Sequence, residues 1–370
     1  MNIAALLSRK GFLSEYGRQV HDMYDRGEIH PTIGNVEHPL SSPVGEETLS
    51  SHQQVWDRIH TTPNSMMPIF VPSIHRWSMD RGTLRWISDM RLQDYTTVFV
   101  RENELDDYES AWPEFRFVVV PRDVDCVGRT RNYLLDYAVE NDIDMYLECD
   151  DDIVDMSYMY SDVNRSGGLC SRHSAIGIAS RMDPDFKRVT LNYALWCARD
   201  AFSNVDDMMM FGWKTQHMSM GPRLAMSRWG VNSIVTPRRL CVWNAKRMHE
   251  NGIRVPDDFM YHGDDIGIVA SILEHGFSVG ASSACVYEFI SEKNGSTLRD
   301  VNDPEEERRI HQLEYEHLSK MDIVRRGYLR FTTPYEDGSY RYGDVSWQNY
   351  SKITGRRRIE MFHDGTSREY

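Results

Sequence analysis

From Pro68 to Cys149, short apolar runs alternate with stretches of helical spacing. "IFVPSI" (69–74), a short apolar run bounded by prolines, reads as a buried strand, "TVFVR" (97–101), β-branched and aromatic, as another, and "FRFVVVP" (115–121) and "MYLEC" (145–149) as a third and a fourth. Between them, "MDRGTLRWISDMRLQ" (79–93) carries Leu84, Ile87, Met90 and Leu92 near helical spacing, and "ELDDYESAW" (104–112) reads as a short helix. "TRNYLLDYAVEN" (130–141) puts Tyr133, Leu134, Tyr137 and Ala138 on one helical face. An alternation of this kind buries both its periods only as an α/β fold, a Rossmann-like, mostly parallel sheet with flanking helices and right-handed crossovers. It also predicts where ligands bind, at the carboxyl ends of the strands. "PSIHR" follows the first strand and "DDD" the fourth, so two remote segments meet in one cleft.

The second of these segments is electrostatically odd. Asp150, Asp151 and Asp152 stand in a row after a buried strand. Two acids there would read as a helix cap or a surface turn. Three in a row repel one another, and a bound cation accounts for them better. In an extended backbone Asp150 and Asp152 face the same side. Hard carboxylate oxygens suit Mg²⁺ or Mn²⁺, ions that usually bind together with substrate phosphates. Glu148 with Asp150 is the alternative register.

Two further segments carry candidate chemistry. In "DVDCVGRTRN" (123–132), Gly128, Arg129, Arg131 and Asn132 lie at a predicted helix start, where an anionic group can be received. Pairing of these arginines with Asp123 and Asp125 is the plain alternative. In "HGDDIG" (262–267), Asp264 and Asp265 open a helix. One is expected to cap it, leaving the other available as a general base if it faces the cleft.

Elsewhere the chain is less telling. Residues 1–65 read as a helical and loop extension, 66–300 as the catalytic domain, and 301–370 as a helix followed by an aromatic and basic tail. Beyond 156 the pattern loosens, and it becomes regular again over 239–280: a strand at Leu240–Trp243, a short helix at Ala245–Glu250, and a helix over Ile266–His275 closed by Gly276. A net charge of −14 excludes a general nucleic-acid coat, although an acidic body leaves room for a local basic surface. Six scattered cysteines without a Cys-x-x-Cys pair argue against a zinc ribbon or a disulfide scaffold. With no secretory pattern and no run long enough to span a bilayer, a cytoplasmic enzyme is expected.

In their order and spacing, "IFVPSIHR", "GRTRNYLLDYAVEN", "YLECDDDI" and "NGIRVPDDFMYHGDDIGIVASILEHGFSVG" resemble nucleotide-sugar glycosyltransferases of the GT-A type over about 68–290. Within that class the layout is similar to the phage and TET-associated glycosyltransferases of DNA bases. The resemblance implies a GT-A-like fold, Mn²⁺ or Mg²⁺, a nucleotide-sugar donor such as a UDP-sugar, and a hydroxymethylated pyrimidine in phage DNA as acceptor, with the enzyme working in the host cytoplasm. It implies that Asp150 and Asp152 hold the metal. Pro72, Ser73, Arg76, Arg129, Asn132 and Asp151 would surround the nucleotide, and Lys293 would close over the diphosphate. Asp264 or Asp265 would deprotonate the acceptor hydroxyl. His262, His311 and His317 are candidates for a further metal ligand. For a DNA acceptor, Arg223, Arg228, Arg238 and Arg239, and a tail with Arg356, Arg357, Arg358, Tyr340, Tyr342 and Trp347, offer a basic and aromatic surface. Other readings are a protein or glycan acceptor, or a sugar nucleotidyltransferase. Against the last, the loop "PSIHRWSM" lacks the glycine-rich basic signature such enzymes carry.

Overall fold

The computed structural model describes residues 57–158, 184–215, 227–232, 237, 239–260, 263–290, 304–331, 343–362 and 365–369. The four expected strands are present: β1 (Ile69–Pro72), β2 (Thr96–Val100), β3 (Arg116–Val119) and β4 (Tyr146–Cys149). They lie parallel in the spatial order β3-β2-β1-β4, with Ile69 opposite both Thr96 and Leu147. The connecting helices are α1 (Thr83–Asp89), α2 (Leu105–Ala111) and α3 (Val127–Glu140).

Strand side chains alternate between two cores, one on each face of the sheet. Ile69, Val71, Val98, Val100 and Leu147 pack on the face that also receives Leu84, Trp86 and Ile87 of α1. Phe70, Phe99 and Tyr146 point the other way, against Leu134, Leu135 and Ala138 of α3. Coverage on both faces is why β1, β2 and β4 read as near-continuous apolar runs, whereas β3, last in the sheet order, is only half-buried with Arg116 and Val119 exposed.

Past β4 the sheet stops being parallel. β5 (Ile153–Tyr158) leaves the aspartates, and the long helix α4 (Pro184–Asn204) leads to β6 (Met208–Thr215) and β7 (Ser227–Val231). β8 (Leu240–Trp243) runs antiparallel to both β4 and β6. The short helix α5 (Ala245–Glu250) and α6 (Asp264–Glu274) follow, and then β9 (Ser278–Phe289), parallel to β6 and antiparallel to β5 and β7. Toward the C-terminus are α7 (Pro304–Lys320), α8 (Asp322–Arg325), β10 (Leu329–Phe331), β11 (Gly343–Val345), α9 (Trp347–Thr354), β12 (Ile359–Phe362) and β13 (Ser367–Glu369). β12 and β13 extend the main sheet beyond β7, so the C-terminal residues add strands to the same sheet as β1 to β4. At the other end of the sequence, Asn192 and Arg199 of α4 bond to the backbone of residues 62–66 and fix the entry into β1. The five described cysteines are buried free thiols.

Candidate active site

The three aspartates occupy the link between β4 and β5, at the carboxyl end of the parallel strands. The backbone there turns and is not extended. The turn still delivers the alternation the sequence suggests, with the three carboxylates facing two sides. Asp151 points back to the loop after β1. Its carboxylate accepts from Ser73 Oγ at 3.0 Å and from the Ile74 amide at 3.3 Å, and Arg76 Nε lies 3.5 Å away. Asp150 and Asp152 face Arg239, whose guanidinium contacts Asp152 and stands 4.0 Å from Asp150. Asp152 Oδ1 is buried without a hydrogen-bond partner. Ser73 and Asp151, predicted together from remote segments, are therefore in direct contact.

The loop after β1 is held from α2. Tyr108, fully buried, bonds through its hydroxyl to Ser73 Oγ at 2.7 Å and accepts from the Arg76 amide at 3.1 Å. Burial raises its phenol above the ordinary value. Glu104 accepts the His75 amide at 3.0 Å, with His75 in the left-handed region at φ 57°. A bulky residue kept there marks backbone strain at a ligand-side loop. Pro72 closes β1 opposite Phe99.

Arg131 is the organising cation. It is buried and meets three acids: Glu148 at 3.1 Å, Asp150 at 3.4 Å and Asp264 at 2.8 Å. This one contact set joins α3, β4, the aspartate turn and the start of α6. Asp264 is thereby brought to the aspartates, as expected. Asp265 is more exposed, accepts the Ile266 amide at 2.8 Å, and acts electrostatically on Asp150, Asp264 and Arg239.

The other candidates lie elsewhere. Arg129 is on the surface, 2.7 Å from Asp125. Asn132 bonds both ways to the backbone of Val255, at 3.1 and 2.9 Å, and ties α3 to the segment before α6. Arg228 pairs with Asp200 at 2.6 Å and lies over the Trp196 ring. His317 sits against Phe259. Arg356 pairs with Asp207 and Arg357 with Glu369, while Trp347 is buried against Tyr350. Lys293, His262, Arg223, Arg238, Tyr340 and Tyr342 lie outside the described residues, and His311 falls within α7.

That Arg131 faces inward is legible from the sequence in principle. A helix begun at Val127 has its buried stripe at 128, 131, 134, 135 and 138, and that stripe turns Arg131 inward. Beginning the helix at Thr130 leaves that face unread. Thr83, whose contacts reach the aspartate turn, carries no signal of its own in the sequence.

Electrostatics sharpen what the site lacks. Glu148, Asp150, Asp151, Asp152, Asp264 and Asp265 gather around three guanidinium groups, those of Arg76, Arg131 and Arg239. Burial pushes Glu148 up to about 7, and Asp150, Asp151 and Asp264 each to about 6, against the opposing pull of the arginines. Asp152 is raised for the same reason. Among the described residues, no three metal-type side chains converge on one point. A pair of hard carboxylates with one unpartnered buried oxygen nevertheless fits a divalent ion that completes its shell with substrate phosphates and water.

Residues 67–209, which span β1 through the first residues of β6, match the family model described as TET-Associated Glycosyltransferase. The enzyme is a glycosyltransferase. The match takes in the Ser73 loop, α3 and the aspartates, and stops short of Asp264. No curated protein matches the sequence. Among solved structures, the chain is similar to Staphylococcus aureus TarS 1–349 in complex with UDP, at 11% identity and TM-score 0.37, covering 70% of this chain and 73% of that one. It is also similar to mannose-1-phosphate geranyltransferase from Thermus thermophilus, at 9% identity and TM-score 0.30, over 60% and 74% of the two chains. Likenesses this distant carry no weight beside the family match. Among the described residues no helix is long and apolar enough to cross a membrane.

Proposed function

We propose that the enzyme moves a sugar from a nucleotide-sugar donor, a UDP-sugar, to the hydroxymethyl group of a modified pyrimidine in DNA, with Mn²⁺ or Mg²⁺ bound at Asp150 and Asp152. The observation that supports this best is the division of labour among three adjacent aspartates. One faces the loop after β1 and two face Arg239, and the cluster carries more negative charge than its arginines balance. A divalent ion supplies Lewis-acid stabilisation to a departing diphosphate. Pro72, Ser73, Arg76 and Asp151 form the donor nucleoside side. Lys293 and Arg239 are the cations we assign to the diphosphate. Arg129 and Asn132, paired with Asp125 and with the Val255 backbone, support the shape of α3 and its approach to α6.

Asp265 is our choice for the base. Asp264 is buried, with one carboxyl oxygen 2.8 Å from the Arg131 guanidinium, and that ion pair commits it to Arg131. Asp265 is more exposed and close enough to Asp150 to act on it electrostatically. A carboxylate there takes the acceptor's hydroxyl proton as the oxygen attacks the anomeric carbon, which gives an inverting displacement.

The acceptor rests on the family match and on the sequence resemblance. Its test is incubation with a panel of nucleotide sugars and DNA containing hydroxymethylcytosine or hydroxymethyluracil, followed by mass spectrometry of the digested nucleosides. A hexose or pentose mass added to the modified base is expected. Turnover confined to protein or glycan acceptors would replace the DNA assignment, and loss of all turnover in Asp152→Ala would support the metal-bearing pair.

A further inference from the structure

Three neighbouring acids on one turn repel one another, and besides the side-chain contacts to Ser73, Arg131 and Arg239 the turn is held through its own backbone. Thr83, the first residue of α1 and fully buried, is bonded to the turn's backbone at three places. Its hydroxyl donates to the Asp150 carbonyl and accepts from the Ile153 amide at 2.9 Å, with the Ile153 carbonyl at 3.4 Å. Its amide donates to the Asp151 carbonyl at 3.2 Å. The residue before it, Gly82, has φ +145°, and a Cβ there would stand 3.0 Å from the same Asp151 carbonyl. With that backbone angle and that distance, a side chain at position 82 would be strained and would press the Asp151 carbonyl away from α1.

We infer that Gly82 and Thr83 form a backbone clamp that positions the aspartates, holding Asp150 and Asp152 toward Arg239 while Asp151 is held toward Ser73. The two residues touch no substrate. They act through the turn, and every bond they make is to main chain, so all three carboxylates stay available. The segment pinned runs from Asp150 to Ile153, the length over which a slip of one residue would exchange the inward pair for Asp151. Its far end is tied separately, by the Ile290 amide donating to the Asp152 carbonyl at 2.9 Å. Thr83 therefore pins the turn on one side, while Ile290, the residue after β9, and the Arg239 carbonyl, which accepts from the Asp150 amide at 2.8 Å, hold it on the other.

The inference rests on the reading of Asp150 and Asp152 as the metal-holding pair, and the test separates the two. Mn²⁺ is titrated calorimetrically into the full-length protein in the presence of UDP, for the wild type, Thr83→Val, Thr83→Ser and Gly82→Ala. Thr83→Val keeps the β-branched shape and removes the hydroxyl. It is expected to weaken Mn²⁺ by roughly tenfold, as expected for the loss of a buried hydrogen bond, and to raise the Mn²⁺ needed for half-maximal turnover by a similar factor. Thr83→Ser restores the hydroxyl and is expected to recover most of the affinity. Gly82→Ala keeps the hydroxyl but presses on the Asp151 carbonyl, and it too is expected to weaken Mn²⁺, which covers the case in which Thr83→Val does not fold. A purely structural role would lower the folded fraction without moving the half-saturation. Folded Thr83→Val or Gly82→Ala with wild-type Mn²⁺ affinity overturns the clamp alone. A wild type that binds no Mn²⁺ overturns the metal reading and the clamp with it.

Discussion

Arg131 balances three buried carboxylates with one charge, and no other residue type does so with the same reach. A guanidinium presents five donors in a fixed plane, whereas an ammonium is a single point. Arg131→Lys can satisfy at most part of the set formed by Glu148, Asp150 and Asp264. Removing one partner of a buried ion network leaves the others uncompensated, at a cost of about 3–5 kcal/mol. Urea unfolding of Arg131→Met is expected to show a loss in that range, with Arg131→Lys in between. A variant within about 0.5 kcal/mol of wild type would mean that the acids take up protons freely and that the arginine is dispensable. The two acids at the start of α6 separate by kinetics. Asp265→Asn is expected to lower kcat about 10²–10⁴-fold, the range for losing a general base, with little change in donor KM. Asp264→Asn, which loosens the hold on Arg131, is expected to cost stability and to lower kcat less. The reverse order would exchange their roles.

At the scale of elements, what the sequence discloses follows from periodicity. β1 to β4 fall within a residue or two of expectation because each alternates between two apolar cores, and α6 is legible from its buried stripe and from Gly276. α4 and β6 are hard to read for physical reasons. The buried residues of α4 include Leu191, Tyr193, Ala194, Leu195, Cys197, Ala198 and Ala201, a stripe too broad to stand out as one face. β6 opens with Met208, Met209 and Met210, which lack the β-branching that marks a strand. The site is half legible for a related reason. Charged residues announce themselves, so the aspartates and the pair at 264–265 can be found, but small residues acting through backbone cannot. Gly128 can be named from the sequence at a helix start, but the packing role it plays there cannot be read from it. α3 crosses the segment before α6 so closely that a Cβ at Gly128 would lie 2.6 Å from Met260 Cα. The neighbour is backbone and cannot give way cheaply. Gly128→Ala is expected to destabilise by about 1–3 kcal/mol and to lower kcat as well, since Arg131 rides on the displaced helix. Loss of stability with full turnover in the folded fraction would show that the site tolerates movement of α3.

For the whole molecule, the acidic site makes stability a function of proton and cation occupancy. In divalent-free buffer the folded chain holds Glu148 near 7 and Asp150, Asp151 and Asp264 near 6, all above their unfolded values because burial disfavours their charged forms. Between about pH 4 and pH 7 the folded state therefore binds more protons than the unfolded chain, and the free energy of unfolding falls as pH rises through that window. This is opposite in sign to the usual salt-bridged carboxylate, whose contribution disappears on acidification. A divalent ion at the pair replaces the missing positive charge, and its binding stabilises the folded state by mass action. The cluster's share is isolated by comparing the wild type with an Asp150→Asn/Asp152→Asn variant in EDTA and in excess Mn²⁺ at pH 5 and pH 7.5. In EDTA, the wild-type Tm relative to the variant is expected to drop between pH 5 and 7.5, by an amount equivalent to about 1–3 kcal/mol. Mn²⁺ is expected to raise the wild-type Tm more at pH 7.5 than at pH 5, because protons compete for the same oxygens, and to leave the variant nearly unmoved. Equal Mn²⁺ shifts in the two proteins would place the ion elsewhere. A wild-type Tm that rises with pH relative to the variant would mean that the arginines already neutralise the cluster and that no further cation is required.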